Sequence, residues 1–144
     1  MIRMATKGDL ESLFSLMRQL SRHNFTKEQF ELCYFHNLAH NFILVYEHNE
    51  HLCGCGVLSL NYHLHFSQKT AEVLDLIVDE KSRSQGIGKK LLAALEQIAI
   101  DHRCVCLEID SGIQREEAHR FYIREGLRQT HLKFTKMLGE ISNK

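Results

Sequence analysis

Proline is absent from the 144 residues, so no rigid breaker marks a linker or domain boundary. Internal repeats and low-complexity tracts are missing too, which removes solenoid and array architectures. There is no run of about 18 apolar residues of the kind that spans a bilayer. The opening M-I-R-M-A-T lacks the charged-then-apolar plan of a signal peptide. A cytoplasmic location with no membrane partner is therefore expected. Net charge is missing as well: 18 basic residues face 18 acidic ones, and a balance this even argues against a nucleic-acid partner, which calls for clustered Lys and Arg. The five cysteines include no C-x-x-C pair, the spacing that zinc sites favour. Cys53 with Cys55 and Cys104 with Cys106 alternate instead within strand-like stretches, so each pair is expected to point into the core as small hydrophobes.

What is present is ordinary globular composition, 44% hydrophobic and 25% charged, in a chain long enough to bury roughly 70% of its unfolded surface. One domain over residues 1–144 is expected. Ile2 to Met4 reads as a short strand. Thr6 with Asp9 is a helix N-cap signal ahead of Leu10, Leu13, Phe14, Leu16, Met17 and Leu20, whose spacing makes one apolar stripe. Thr26 with Gln29 is a capping box opening a second helix to about Ala39. Asn41 to Glu47 and His51 to about His65 read as a hairpin, with Gly54 and Gly56 marking a bulge or a close backbone approach. Ala71 to Val78 is a buried strand that completes an antiparallel meander. A helix from about Gly86 to His102 crosses over to Cys104–Asp110, which implies parallel pairing of the strands it joins. A last helix, about Arg115 to Glu125, leads to a closing strand, Gln129 to Met137. The expected class is α/β, with a mixed central sheet of about six to seven strands, about four helices and the order β-α-α-β-β-β-α-β-α-β.

The strand, polar turn and helix from Ala71 to Leu95 carry the chemistry. Gly86 and Gly88 stand where the helix begins, so unpaired backbone N–H groups and the positive end of the helix dipole meet beyond the strand, a site for an anion and for phosphate above all. Two nucleotide motifs fail here. Gly86-Ile87-Gly88-Lys89-Lys90 lacks the spacing and hydroxyl of a P-loop. A dinucleotide fingerprint needs a third glycine where Leu91 stands.

Arg83-Ser84-Gln85-Gly86-Ile87-Gly88 instead resembles the R/Q-x-x-G-x-G/A signature of the GNAT superfamily of N-acetyltransferases. Ala118-His119-Arg120-Phe121-Tyr122-Ile123-Arg124-Glu125-Gly126-Leu127 resembles that superfamily's A-x-x-F-Y-x-x-x-G-F segment. Within it the C-terminal third, from Ala118 to Leu138, and the stretch Tyr62-His63-Leu64-His65-Phe66 are similar to the aminoalkylphosphonate N-acetyltransferases. The resemblance implies that acetyl-CoA is the cosubstrate. Main-chain groups of Leu76, Ile77 and Val78 are then expected to hold the pantetheine arm, and Arg83, Ser84, Gln85, Gly86, Ile87, Gly88 and Lys89 to form the pyrophosphate loop. Dimers are frequent in the superfamily, which makes a homodimer a candidate assembly, although the residues themselves do not set the oligomeric state. The family's common Asn after the fifth strand is replaced by Ser111-Gly112-Ile113-Gln114, which leaves its hydrogen bond to the cofactor in question.

Tyr122 matches the family's general acid, and an unpaired tyrosine holds its proton at neutral pH. Glu72 and Asp75 are the candidate bases, with Glu72 preferred, although simple alternation sets them on opposite faces unless a bulge intervenes. His63 and His65 share one strand face and, with His131, are candidates for an anionic acceptor group; no metal is expected. The resulting expectation is acetyl transfer to a primary amine of a small molecule, with an aminoalkylphosphonate as one candidate. Acetylation of a protein lysine or N-terminus is the second reading, and a non-catalytic acyl-CoA sensor the third.

Overall fold

A computed structural model describes all residues from Met1 to Lys144. The strands are β1 (Ile2–Met4), β2 (Phe42–His48), β3 (His51–His63), β4 (Gln68–Val78) and β5 (Leu107–Ile109). The helices are α1 (Leu10–Leu20), α2 (Lys27–His40), α3 (Ile87–Asp101) and α4 (Glu116–Arg124). The strands form one five-stranded sheet in the order β1-β2-β3-β4-β5. Pairing is antiparallel from β1 through β4 and parallel between β4 and β5, as the crossover through α3 requires.

The helices begin where their caps dictate. The Gln29 backbone N–H donates to Thr26 Oγ1 at 3.1 Å, and the Thr26 N–H donates to Gln29 Oε1 at 2.8 Å, which closes the box on α2. Thr6 and Asp9 form the other cap, with the Thr6 N–H donating to Asp9 Oδ2 at 2.8 Å. Here, however, a short 3-10 turn (Lys7–Asp9) precedes α1. Asp9 also receives a bidentate pair from Arg3 Nη1 and Nη2 at 2.9 and 2.8 Å, and Arg3 Nε reaches Glu47 at 3.2 Å. That network ties the start of α1 to β1 and β2.

Apolar residues fall into two cores, one on each side of the sheet. Leu13, Leu16 and Tyr34 of α1 and α2 pack on Ile43, Val45, Cys55 and Val57. On the other side Ile87, Leu91, Leu92 and Leu95 of α3 pack on Leu44, Leu58, Ala71 and Val73. Full burial of a leucine such as Leu91 or Leu95 contributes about 1.5–3 kcal/mol. The α3 contact explains the alternating glycines of β3: a Cβ at Gly54 would stand 3.0 Å from Leu91 Cδ1, and one at Gly56 2.8 Å from Leu95 Cδ1.

Three expectations are corrected. First, residues 129–137 form no strand, so the sheet has five strands and not six or seven, and the order ends at α4. A strand pattern becomes a strand only against a neighbour, and this segment lies away from one, with Leu132 80% and Phe134 87% exposed. Second, Cys53 and Cys55 are both buried but on opposite faces. Tyr46 pairs with Gly54 and Glu47 with Leu52, which leaves Cys53 as the extra residue of a bulge and sends it to the α3 side. Cys106 is exposed and Cys104 only half-buried, because β5 starts after both. Third, β3 ends at His63, so His65 lies in the following turn and not on the strand face.

Candidate active site

Parallel pairing between β4 and β5 runs only from Ala71↔Leu107 to Val73↔Ile109. Beyond Val73, β4 continues to Val78 with β3 on one side and no strand on the other. Residues 74–78 therefore offer unpaired main-chain groups along one wall of a cleft, a strand edge ready for an extended ligand. Leu76, Ile77 and Val78 all lie on this wall.

At the end of the wall the chain turns into α3 through a strained loop. Ser84 has φ 66° and Gly86 φ 77°, the left-handed region that glycine enters without steric cost. None of the backbone N–H groups of residues 84–89 finds an acceptor in the chain. The Lys90 N–H is the first to do so, donating to the Gly86 carbonyl at 3.0 Å. Consecutive unsatisfied donors at the start of a fifteen-residue helix form a cradle for an anion. The exposed side chains of Arg83 and Lys89 add positive charge, and Arg83 Nε pins the loop by donating to the Val78 carbonyl at 3.3 Å.

A Cβ placed on Gly88 would sit 3.7 Å from both Phe121 and Val78, so the wall, the cradle and α4 meet at one point. The next residue on α4 is Tyr122, buried, with no protein hydrogen-bond partner for its hydroxyl. Desolvation lifts its pKa above the ordinary 10.0, against a smaller opposing pull from the Arg115 charge. The group stays protonated through neutral pH and is able to donate that proton. Just after β5, Ser111 Oγ is the one buried side-chain oxygen or nitrogen without a partner. Motif spacing could not single out Ser111, which occupies the place of the missing family Asn.

The carboxylates stand on the other side of the wall. Val57 pairs with Asp75 and Leu58 with Val73, so Leu74 is the extra residue of a bulge. The bulge brings Glu72, opposite Ser59, and Asp75 onto one face, the α1 and α2 side, about 7 Å apart along the strand. Asp75 is exposed along the strand edge, yet protein atoms crowd around its carboxyl, and that desolvation pushes it up to about 6. Glu72 instead accepts a hydrogen bond from Asn61 Nδ2 at 3.1 Å. Further along the same face His63 Nε2 meets Thr70 Oγ1 at 2.9 Å, and its ring stacks on Phe66 at 5.0 Å with His65 5.5 Å away. Asn61 and Thr70 carry no sequence signal, since their roles depend on strand register. His131 is not brought into this group; it is exposed, and its ring nitrogen meets only Thr130 Oγ1 at 2.6 Å.

A splayed parallel strand pair, an anion cradle at the following helix and a buried tyrosine on the next helix define an acyl-CoA-dependent transferase. Residues 10–126 match the model of the Acetyltransferase (GNAT) family, and the chain belongs to that family as an acetyl-CoA-dependent N-acetyltransferase. Among curated proteins it is similar to the aminoalkylphosphonate N-acetyltransferase of Salmonella typhimurium, 33% identical over 140 residues, 95% of this chain and 90% of the relative. Among solved structures it resembles a transcriptional regulator from Bacillus halodurans C-125, with a TM-score of 0.87 at 22% identity over 96% of this chain and 99% of that one. It also resembles AAC(6')-Iy in complex with the bisubstrate analog CoA-S-monomethyl-acetylneamine, with a TM-score of 0.85 at 17% identity over 95% and 96%.

Proposed function

We propose that this enzyme acetylates the primary amine of a small molecule, with an aminoalkylphosphonate as the acceptor class, acting in the cytoplasm as a single domain over residues 1–144 and as a homodimer. The observation that carries the reading of the acceptor side is the Leu74 bulge, which sets Asp75 and Glu72 together on the face away from the cradle. The 33% identity along 95% of the chain supports the acceptor class, and the free cysteines suit a reducing compartment.

Acetyl-CoA supplies the acetyl group as an activated thioester. In this reading main-chain groups of Leu76, Ile77 and Val78 hold the pantetheine arm, and Ser111 Oγ finds its missing partner there. The N–H groups of Gln85, Gly86, Ile87, Gly88 and Lys89, together with Arg83 and Ser84, hold the pyrophosphate. Asp75, ionised at neutral pH and more basic than an ordinary aspartate, takes a proton from the incoming amine, directly or through one water. Glu72, held by Asn61, attracts the ammonium form. The Ile77 N–H polarises the thioester carbonyl, and Tyr122 protonates the departing sulfur. His63 and His65 face the acceptor's anionic end.

The test is coenzyme A thiol release with aminomethyl- and aminoethylphosphonate, simple alkylamines, and lysine-bearing peptides. The reading expects turnover of the phosphonates at a kcat/KM well above that of the peptides. Preference for peptides, or no turnover with any amine, overturns it.

A further inference from the structure

Stacking fixes the plane of an imidazole ring, but the hydrogen bond made by one ring nitrogen decides which of the two carries the proton. We propose that Thr70 is a positioning residue for acceptor recognition: its buried hydroxyl gives its proton to His63 Nε2, which locks the neutral ring in the Nδ1–H form and leaves that N–H to donate to an oxyanion of the acceptor. The inference rests on the acceptor reading above, in which His63 faces the anionic end.

Thr70 is fully buried in the interior of the sheet. It pairs with Asn61 of β3, and on its other flank the Val105 N–H donates to the Lys69 carbonyl and the Ala71 N–H to the Cys106 carbonyl, both at 2.9 Å. The side chain therefore stands on a fixed base. Its Oγ1 lies 2.9 Å from His63 Nε2 and has no second partner in the chain. A threonine hydroxyl has one proton to donate, and a buried donor left without an acceptor is costly. With His63 Nε2 as the sole acceptor the proton points there, so Nε2 is the bare nitrogen of the neutral ring. His102 and His119 differ. Their ring nitrogens meet the Ile98 and Gly112 carbonyls at 2.9 and 2.8 Å; a carbonyl only accepts, so those nitrogens carry the proton.

The remaining contacts hold the ring without choosing its tautomer. Phe66 stacks on it at 5.0 Å with the planes 20° apart, and His65 meets it edge-on at 5.5 Å. The turn carrying both is closed by Ser67, whose hydroxyl donates to the Leu64 carbonyl at 3.1 Å. His63 is only half-buried, and its Nδ1 has no partner in the chain, so the N–H placed there is free for a ligand. Thr70 lies on the same face of β4 as Glu72, two residues or about 7 Å along the strand. The free N–H thus stands one strand repeat beyond the carboxylate that attracts the ammonium. An amine with an oxyanion a few bonds away, as in an aminoalkylphosphonate, fits between the two.

Long-range proton–nitrogen spectra of the full chain, recorded above the ordinary histidine titration range, read the tautomer directly, with the His63 signals identified by their loss in His63→Asn. The expected result is a proton on Nδ1 and a bare Nε2 in the wild type and in Thr70→Ser, and loss of that single form in Thr70→Val, which keeps the side-chain shape without the hydroxyl. Thiol-release kinetics supply the second readout. Thr70→Val is expected to cut the ratio of kcat/KM for aminoethylphosphonate to that for a simple alkylamine about tenfold, through the phosphonate KM, and Thr70→Ser to restore it. His63→Asn, whose amide N–H stands near the place of Nδ1, is expected to keep more of that preference than His63→Gln, whose amide stands near the place of Nε2. A proton on Nε2 in the wild type, an equal fall for both amines in Thr70→Val, or no rescue by Thr70→Ser each overturns the proposal. A wild type that turns over no phosphonate overturns the acceptor reading and the recognition role with it, whereas the spectra need no substrate and decide the tautomer on their own.

Discussion

Glu72 and Asp75 share one face of β4 although three positions separate them, because Leu74 bulges out between the pairs Leu58↔Val73 and Val57↔Asp75. Their environments then diverge. Glu72 takes a hydrogen bond from Asn61 at 3.1 Å, whereas partial desolvation alone acts on Asp75 and lifts it to about 6. Two carboxylates on one face in different surroundings suit different tasks, one docking a cation and one accepting a proton.

If Asp75 is the base, activity must require its ionised form. The expected kcat/KM profile rises as pH increases through about 6 and levels above it. Asp75→Asn should lower kcat/KM by about 10²-fold and abolish that limb. Glu72→Gln should keep the limb and mainly raise KM for the amine. The measurement is the pH profile of thiol release for the three proteins.

Tyr122→Phe removes the proton donor while keeping the buried ring. Turnover is expected to fall by about 10²-fold or more, with coenzyme A affinity by calorimetry unchanged. Because desolvation raises the Tyr122 pKa, any alkaline fall in wild-type kcat from this group lies above the ordinary tyrosine value. Unchanged turnover in the variant would assign the acid elsewhere.

Gly86 holds φ 77° with open space where a Cβ would be, so Gly86→Ala tests conformation without a clash. An alanine there costs about 1–2 kcal/mol, spent on distorting the cradle. The expected result is a KM for acetyl-CoA raised roughly tenfold with kcat within a factor of about two, read from initial rates. Gly88→Ala should be milder, its Cβ making ordinary contacts at 3.7 Å with Phe121 and Val78.

The Arg3 guanidinium, with help from the Thr6 N–H, holds Asp9 below its ordinary value of 3.8. A depressed carboxylate stabilises the fold fully above the unfolded pKa, and that contribution is lost as pH falls below about 4 and protons bind. Asp9→Asn is expected to cost about 2 kcal/mol at pH 7 by urea denaturation and to flatten the acid decline in stability. An equal loss at pH 3 and pH 7 would show that the charge is not the cause.

The hairpin, the capping box at Thr26, the meander and the α3 crossover were legible in the residues because alternation, turn residues, caps and helical spacing are patterns written locally in the chain. So were the Gly86–Gly88 turn and the Phe121–Tyr122 pair, whose spacing resembles a family pattern. Whether Glu72 and Asp75 share a face was open in the residues, since alternation parts them unless a bulge intervenes. Only the tertiary structure answered it, since a bulge is a register shift between two strands and leaves no mark in either strand alone. The same reason separates Cys53 from Cys55, joins Asn61 to Glu72 and leaves Ser111 Oγ buried without a partner. It also decides the segment Gln129 to Met137: alternation supplies the residues of a strand, but the strand exists only where another edge supplies the hydrogen bonds.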